Sequence, residues 1–270
     1  MINKTKIDHK NPKSLFKFSK ISEYTYSSLI NKTIFVAKAN SLNDPFELDI
    51  DFDENISDAD ILILNESYPD ADFSTLPKLI SEAKISLENM LEMTRLMSLT
   101  SNPFEILMWS HYADEHKGIC IEYDRQHCEI LSDPQICQKV IYPDASHKTK
   151  IKILPLLLGG PLTKNIIETI IYARKSPQWK YENEWRLIVE STNELGNIQL
   201  INNTLKIKSI IFGIRTPDHH KHAIYELVNN LYEKQISFYQ AEKMTNALEI
   251  SIVEFSPEKH IKPFMAPALT

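Results

Sequence analysis

Residues 175–189, KSPQWKYENEWRLIV, hold the reading on which the fold turns. The run WRLIV (185–189) alternates too little to lie half-exposed and is rich in branched and aromatic side chains, so it reads as a buried strand. Immediately before it stand Glu182 and Glu184, two residues apart, with Trp179, Tyr181 and Trp185 around them. If the pleat begins early, both carboxylates project from one side of a rigid element. Working outward, IKSIIFGI (207–214) is a second buried strand, and TIFVA (33–37), ICIEY (119–123) and LFKF with its flanking serine (14–18) are further strands. Shorter strands are expected at 95–100, 139–142, 236–240 and 248–255. Helical spacing predicts helices at 23–31, on both sides of Pro69 and Pro77 between 58 and 97, at 103–114 with Gly118 as its C-cap, at 162–175 and at 218–234. Strands and helices mix without strict alternation. The expected class is therefore α+β: a mixed, largely antiparallel central sheet with flanking helices. Residues 1–256 are read as one domain with a helical insertion at about 56–97, and 257–270 as an irregular tail.

Composition narrows the function. Thirty basic against 36 acidic residues leave a net charge of −6, which excludes a globally basic nucleic-acid binder. Only five of the 270 residues are glycine, against about 7% in ordinary chains. Neither G-x-G-x-x-G nor G-x-x-x-x-G-K-[ST] occurs, so a nucleotide must be held without a glycine-rich loop. Cys120, Cys128 and Cys137 form no C-x-x-C pair and suit a reducing compartment. The first residues lack the apolar core of a secretory signal, and no apolar run is long enough to cross a bilayer. A cytoplasmic protein without membrane contact is expected. Charge is unevenly spread: residues 44–60 carry eight acids and no base, and residues 139–186 carry nine bases and four acids.

Three other segments concentrate chemistry-bearing residues. SLNDPFE (41–47) supplies Ser41, Asn43 and Asp44. Asn-Asp-Pro favours a turn with side-chain-to-backbone bonds, and Asp44 and Glu47 are placed to line a pocket. MWSHYADEHKG (108–118) supplies Trp109, His111 and Tyr112. The H-x-x-x-E-H spacing turns His116 off the face of His111, so a zinc site is rejected, and His111 is read as a general acid/base or a ribose partner. The acids at 49, 51 and 53 lack the glycine and closing glutamate of a calcium loop, and no metal is expected. Glu182 and Glu184 fit work on a sugar, where one carboxylate stabilises an oxocarbenium ion or holds a ribose hydroxyl and the other orients a nucleophile. The competing reading of Glu182 and Arg186 is an ordinary i, i+4 ion pair on a helix.

Taken together, LFKF, SLNDPFE, MWSHYADEHKGICIEYD, KSPQWKYENEWRLI and SIIFGIR resemble, in order, a bacterial and phage-associated family of unknown function, DUF2971. The motif order also looks like that of ADP-ribosyltransferases: Lys17 on an early strand, Ser41 after the next, and Glu182-Asn-Glu184 before a later one. Lysine stands where that pattern has arginine or histidine, and no S-T-S tripeptide is present. This second resemblance implies an ADP-ribosyltransferase-like fold and NAD as substrate. Glu184 would hold a ribose hydroxyl, Glu182 would orient the acceptor, Lys17 or Arg186 would face the pyrophosphate, and Tyr112 or Trp109 would flank the nicotinamide, with Tyr181 nearby. It implies NAD-dependent ADP-ribosyl transfer or NAD glycohydrolysis, of the kind used by toxins, effectors or phage-defence proteins, with a protein or nucleic-acid acceptor. Two alternatives remain. One is a nucleic-acid-directed or non-catalytic binding module using the basic stretch 139–186. The other is a metal-dependent nuclease built on Asp70, Glu82 and Lys84.

Overall fold

A computed structural model describes residues 2, 4, 7–38, 41–47, 50–70, 72–143, 149–159, 172–190, 198–202, 205–233 and 235–262. The class is as expected: a largely antiparallel central sheet with flanking helices. Within the described residues the sheet has ten strands. Its main path is β12 (Ile250–Glu254), β11 (Ser237–Lys243), β10 (Ile207–Phe212), β5 (Ile119–Asp124), β1 (Ser14–Ser19), β4 (Thr94–Thr100), β2 (Thr33–Lys38) and β9 (Ile198–Asn202). Off this path, β8 (Glu184–Glu190) pairs with β4 and with β6 (Cys137–Lys139). A separate parallel pair joins β3 (Ile50–Asp53) to β7 (Thr149–Lys152).

The helices are α1 (Glu23–Asn31), α2 (Asp58–Ser67), α3 (Leu76–Met93), α4 (Ile106–Tyr112), α5 (Glu129–Ser132), α6 (Leu154–Leu158), α7 (Asp218–Leu231) and α8 (Pro257–His260). β10 and β11 run parallel, so the chain needs a crossover between them, and α7 supplies it. Its inner residues Ile224 and Val228 are fully buried in a core shared with Ile210, Phe212 and Phe238. No helix of the described residues is long and apolar enough to cross a membrane.

One irregularity in the sheet positions the site. Every residue of β4 from Thr94 to Thr100 pairs with β8 on one edge. The other edge is shared. β2 takes Arg95 and Leu96, and β1 reaches it only at Thr100. β1 and β2 therefore diverge from a common neighbour, and Met97, Ser98 and Leu99 form no ladder pair on that edge. A sheet opened in this way exposes backbone polar groups that need another partner. The Ser98 carbonyl finds one in the Lys17 side chain, whose Nζ donates to it at 3.0 Å.

Several sequence expectations are corrected. The strand anticipated at 139–142 lies earlier, at β6, with Ile141 making one isolated parallel bridge to Arg174. The helix expected at 162–175 falls largely outside the described residues. β3, β7, β9, α5 and α6 were not anticipated, because short elements with weak periodicity take their form from tertiary partners. The tail contains a short helix, α8, which begins at Pro257. Gly118 does not end α4, which stops at Tyr112. The glycine is needed because a side chain there would collide with the Ser19 carbonyl across the sheet.

Candidate functional site

The notch between β1 and β2 opens into a cavity of about 400 Å³, within the usual size of a small-molecule site. Most of its wall is apolar, from Phe16, Leu29, Ile34, Val36, Met97 and Leu99. Polar side chains line it too, among them Lys17, Ser41, Asn43, Glu47, Tyr112, Lys175, Glu182 and Glu184. These residues come from the N-terminal, middle and C-terminal parts of the chain.

The carboxylate pair arrives by a route that differs from the expected pleat. Residues Pro177–Glu182 form a 3-10 helix. Asn183 then turns left-handed (φ 46°), and Glu184 opens β8. The left-handed residue reverses the direction in which the chain would carry Glu184 and lets both carboxylates reach the same cation. The Glu182 carbonyl is fixed by the Thr100 hydroxyl at 2.5 Å, and the Glu184 backbone N–H donates to the Tyr142 hydroxyl at 3.0 Å.

That cation is Lys175. Its ammonium contacts Glu182 Oε2 at 2.7 Å, Glu47 Oε1 at 3.1 Å and Glu184 Oε2 at 3.2 Å, and it lies 4.8 Å from the centre of the Trp179 ring. Arg186 forms a fork on Glu184, with Nε to Oε1 at 2.9 Å and Nη2 to Oε2 at 3.1 Å. The same Nη2 reaches Glu47 Oε1 at 2.7 Å, and Nη1 donates to the Tyr172 carbonyl at 2.8 Å. All five side chains are almost wholly buried. Leaving one member unpaired costs about 3–5 kcal/mol, so the cluster stands or falls together.

Glu182 has a second partner. Its Oε1 accepts from the Tyr112 hydroxyl at 2.6 Å, and that hydroxyl accepts from Asn43 Nδ2 at 2.9 Å. The two carboxylates are thereby pushed apart in acidity. Burial opposes charge on Glu184, but Arg186 and then Lys175 outweigh it, and its pKa falls to about 2. Burial prevails at Glu182, against the pull of Lys175, and raises it above the ordinary carboxylate value. Burial likewise raises Glu47, against Arg186 and Lys175. Burial lowers the pKa of Lys17, which also lines the cavity, partly offset by Glu184 and Glu182. Burial raises the Tyr112 hydroxyl, and the hydrogen bond to Glu182 adds to this.

Of the residues singled out from sequence, Lys17, Ser41, Asn43, Tyr112, Glu182 and Glu184 meet on this cavity. Glu47, weighed as a pocket residue beside Asp44, lines it as well, whereas Arg186, Trp109, His111, Asp44 and Tyr181 do not. Arg186 is fully buried behind Glu184 and is committed to internal partners, so it is not placed to face a pyrophosphate. Its i, i+4 relation to Glu182 is not a helix pair either, since Arg186 lies on β8 and binds Glu184 and Glu47. Trp109 is a core residue: its Nε1 donates to the Pro103 carbonyl at 2.8 Å, and its ring meets Phe18 edge-on at 4.9 Å. It does not line the cavity. His111 is exposed at the end of α4, its ring 6.3 Å from that of Tyr112. Asp44 is buried in the turn, where Oδ1 accepts from the Phe46 N–H at 3.0 Å. Tyr181 packs beside the Trp109 core and Trp179.

Sequence reasoning gave no role to Lys175 or Tyr142, and Glu47 was only a marginal candidate. The signal for Lys175 was its place in the same dense segment as the two glutamates. For Glu47 it was a carboxylate directly after an Asn-Asp-Pro turn. Within the basic stretch 139–186, Lys175 and Arg186 are committed to the cluster, and the Lys139 ammonium donates to the His9 carbonyl at 2.9 Å. Glu82 pairs with Lys78 on the outer face of α3, while Lys84 pairs with Glu54. Among the described residues no three His, Cys, Asp or Glu side chains are grouped to hold a metal ion.

The family model of a protein of unknown function, DUF2971, matches residues 108–187. The matched stretch runs from the start of the Tyr112 segment through Lys175, Glu182, Glu184 and Arg186, and so takes in much of the acid cluster. No curated protein and no solved structure matches the chain.

Proposed function

We propose that the cavity binds NAD and breaks its N-glycosidic bond, passing ADP-ribose to an acceptor or to water. The reading rests on one observation: two buried carboxylates of divergent acidity face an apolar cavity that also carries a lysine. Pairs of titratable groups pushed apart in pKa divide acid–base from electrostatic work. Glu184, held ionised by Arg186 and Lys175, supplies fixed negative charge to the ribose as it becomes an oxocarbenium ion. The C1′–N bond breaks, and its electron pair leaves with nicotinamide. Glu182, with its raised pKa, takes the proton from the incoming acceptor oxygen or nitrogen, while Tyr112 and Asn43 hold its orientation. With every member ionised, three carboxylates against Lys175 and Arg186 leave one net negative charge, suited to a cationic ribose. Lys17 lines the same cavity and offers a positive charge to phosphate.

The three cysteines are free and buried, in keeping with a reducing cytoplasmic setting. NAD consumption by such a protein fits a toxin, effector or phage-defence role, with a protein or nucleic acid as acceptor. The test is nicotinamide release from NAD by the purified chain. Glu184→Gln is expected to lower turnover by about 10²–10³-fold. Unchanged release in that variant, or none from the unaltered chain with lysate as acceptor source, ends this reading.

A further inference from the structure

The cavity wall includes an aromatic corner that the chemistry above leaves unused. Tyr24 of α1 and Phe35 of β2 both line the cavity, and their rings meet edge-on at 5.7 Å. Phe35 is half-buried, and Tyr24 is 58% exposed, so the cavity reaches the surface beside them. Strand register places this corner relative to the acids. Glu184 pairs with Thr100, and Ala37 pairs with Leu96. Leu96, Ser98 and Thr100 alternate onto one face of β4, so Glu184, Ala37 and, two residues before Ala37, Phe35 project from that same face. β4 separates β8 from β2, so Glu184 and Phe35 stand two strand spacings apart, at least about 10 Å. The Lys17 ammonium lies between them, on the Ser98 carbonyl of β4 at 3.0 Å. Unlike Lys175 and Arg186, it forms no ion pair among the described residues. The order along this face is therefore carboxylate pair, cation without an acid partner, aromatic corner.

We infer that Tyr24 and Phe35 hold the adenine ring of the dinucleotide. This rests on the NAD reading and deepens it. The nicotinamide is bonded directly to the ribose served by Glu184, so it stays beside the acid cluster and does not reach two strands away. The ring that does is the adenine, carried at the far end of the diphosphate. Ribose, diphosphate and base then follow the order of Glu184, Lys17 and the aromatic corner. Stacking a base on aromatic side chains requires no glycine-rich loop, in keeping with a chain of only five glycines.

Calorimetric titration of the full chain with NAD and with nicotinamide mononucleotide, which lacks the adenylate half, isolates this contact. Tyr24→Ala is expected to weaken NAD by at least about fivefold, the ordinary loss when a stacking aromatic is truncated, and to leave the mononucleotide unchanged. Tyr24→Phe keeps the ring and should restore NAD binding. Because Tyr24 is exposed, both variants should keep the denaturation midpoint of the unaltered chain, so that lost binding is not lost folding. Phe35→Leu removes the second ring and should weaken NAD alone in the same way. Unweakened NAD binding in Tyr24→Ala, or an equal loss of both ligands, overturns the adenine contact and leaves the NAD site standing. NAD binding that depends on the Tyr24 ring without nicotinamide release overturns cleavage and leaves the contact standing. Failure of the unaltered chain to bind NAD overturns both.

Discussion

The two ends of the central sheet solve opposite problems. At the β5–β10–β11–β12 end every neighbouring strand is laddered to the next, and α7 closes one face over a cluster of Phe212, Tyr225, Phe238 and Phe255. The stacked Phe212 and Phe238 rings, 6.0 Å apart and nearly parallel, are typical of a close-packed apolar core. At the β1–β4–β2 end the ladder parts, a cavity enters, and its largely apolar wall also carries Lys17, Glu47, Lys175, Glu182 and Glu184, with Arg186 buried against Glu184. Apolar burial at the first end stabilises the fold without regard to direction. The second end is held by oriented charges that gain little net stability from being buried and much precision. The comparison teaches that one sheet can carry a close-packed apolar end together with a costly charged cluster at the other.

Breaking either end should have a distinct signature. The largest effect is expected from Lys175→Met, which leaves three buried carboxylates with one fewer cation and should cost about 3–5 kcal/mol of stability, read by chemical denaturation. Phe238→Ala in the closed end should cost about 3–5 kcal/mol by creating a cavity, yet leave any affinity of the folded fraction for the proposed NAD ligand unchanged. A loss of affinity in that variant would join the two ends functionally and spoil the contrast.

Tyr112→Phe should cost less, about 1–3 kcal/mol, because one oxygen of a buried carboxylate loses its donor. With the phenolic donor gone, Glu182 should titrate still higher, and the acidic limb of any pH–rate profile should move to higher pH. An unmoved limb would detach Glu182 from the chemistry.

A smaller effect concerns acid. The Glu184 pKa lies near 2 in the folded chain, below its ordinary value of 4.5. Its contribution is complete above the unfolded value and fades as pH falls from there through about 2. Glu182 and Glu47 are raised, and protonating them on the way down favours the folded state. The net acid slope should therefore be shallow in the unaltered chain and change sign or flatten further in Glu184→Gln, as pH-dependent denaturation would reveal. A steep acid loss in both proteins would place the sensitive carboxylates outside the cluster.

Much of this molecule was readable from its amino acids. Branched and aromatic runs marked β1, β2, β5, β8 and β10, and three- and four-residue spacing marked α3 and α7, because both patterns are local consequences of where side chains point along a strand or helix. Dense polar segments likewise marked Lys17, Ser41, Asn43, Tyr112, Glu182 and Glu184 as worth watching. Folding alone decided that β1 and β2 share one edge of β4 and leave a notch. It also decided that a left-handed Asn183, rather than a pleat, aims the two glutamates, that Arg186 and Trp109 turn inward, that His111 turns outward, and that Glu47 and Lys175 join the cluster. Ladder pairing and the convergence of buried charge depend on contacts between residues far apart in the chain, and no local pattern encodes which distant partner will neutralise a given side chain.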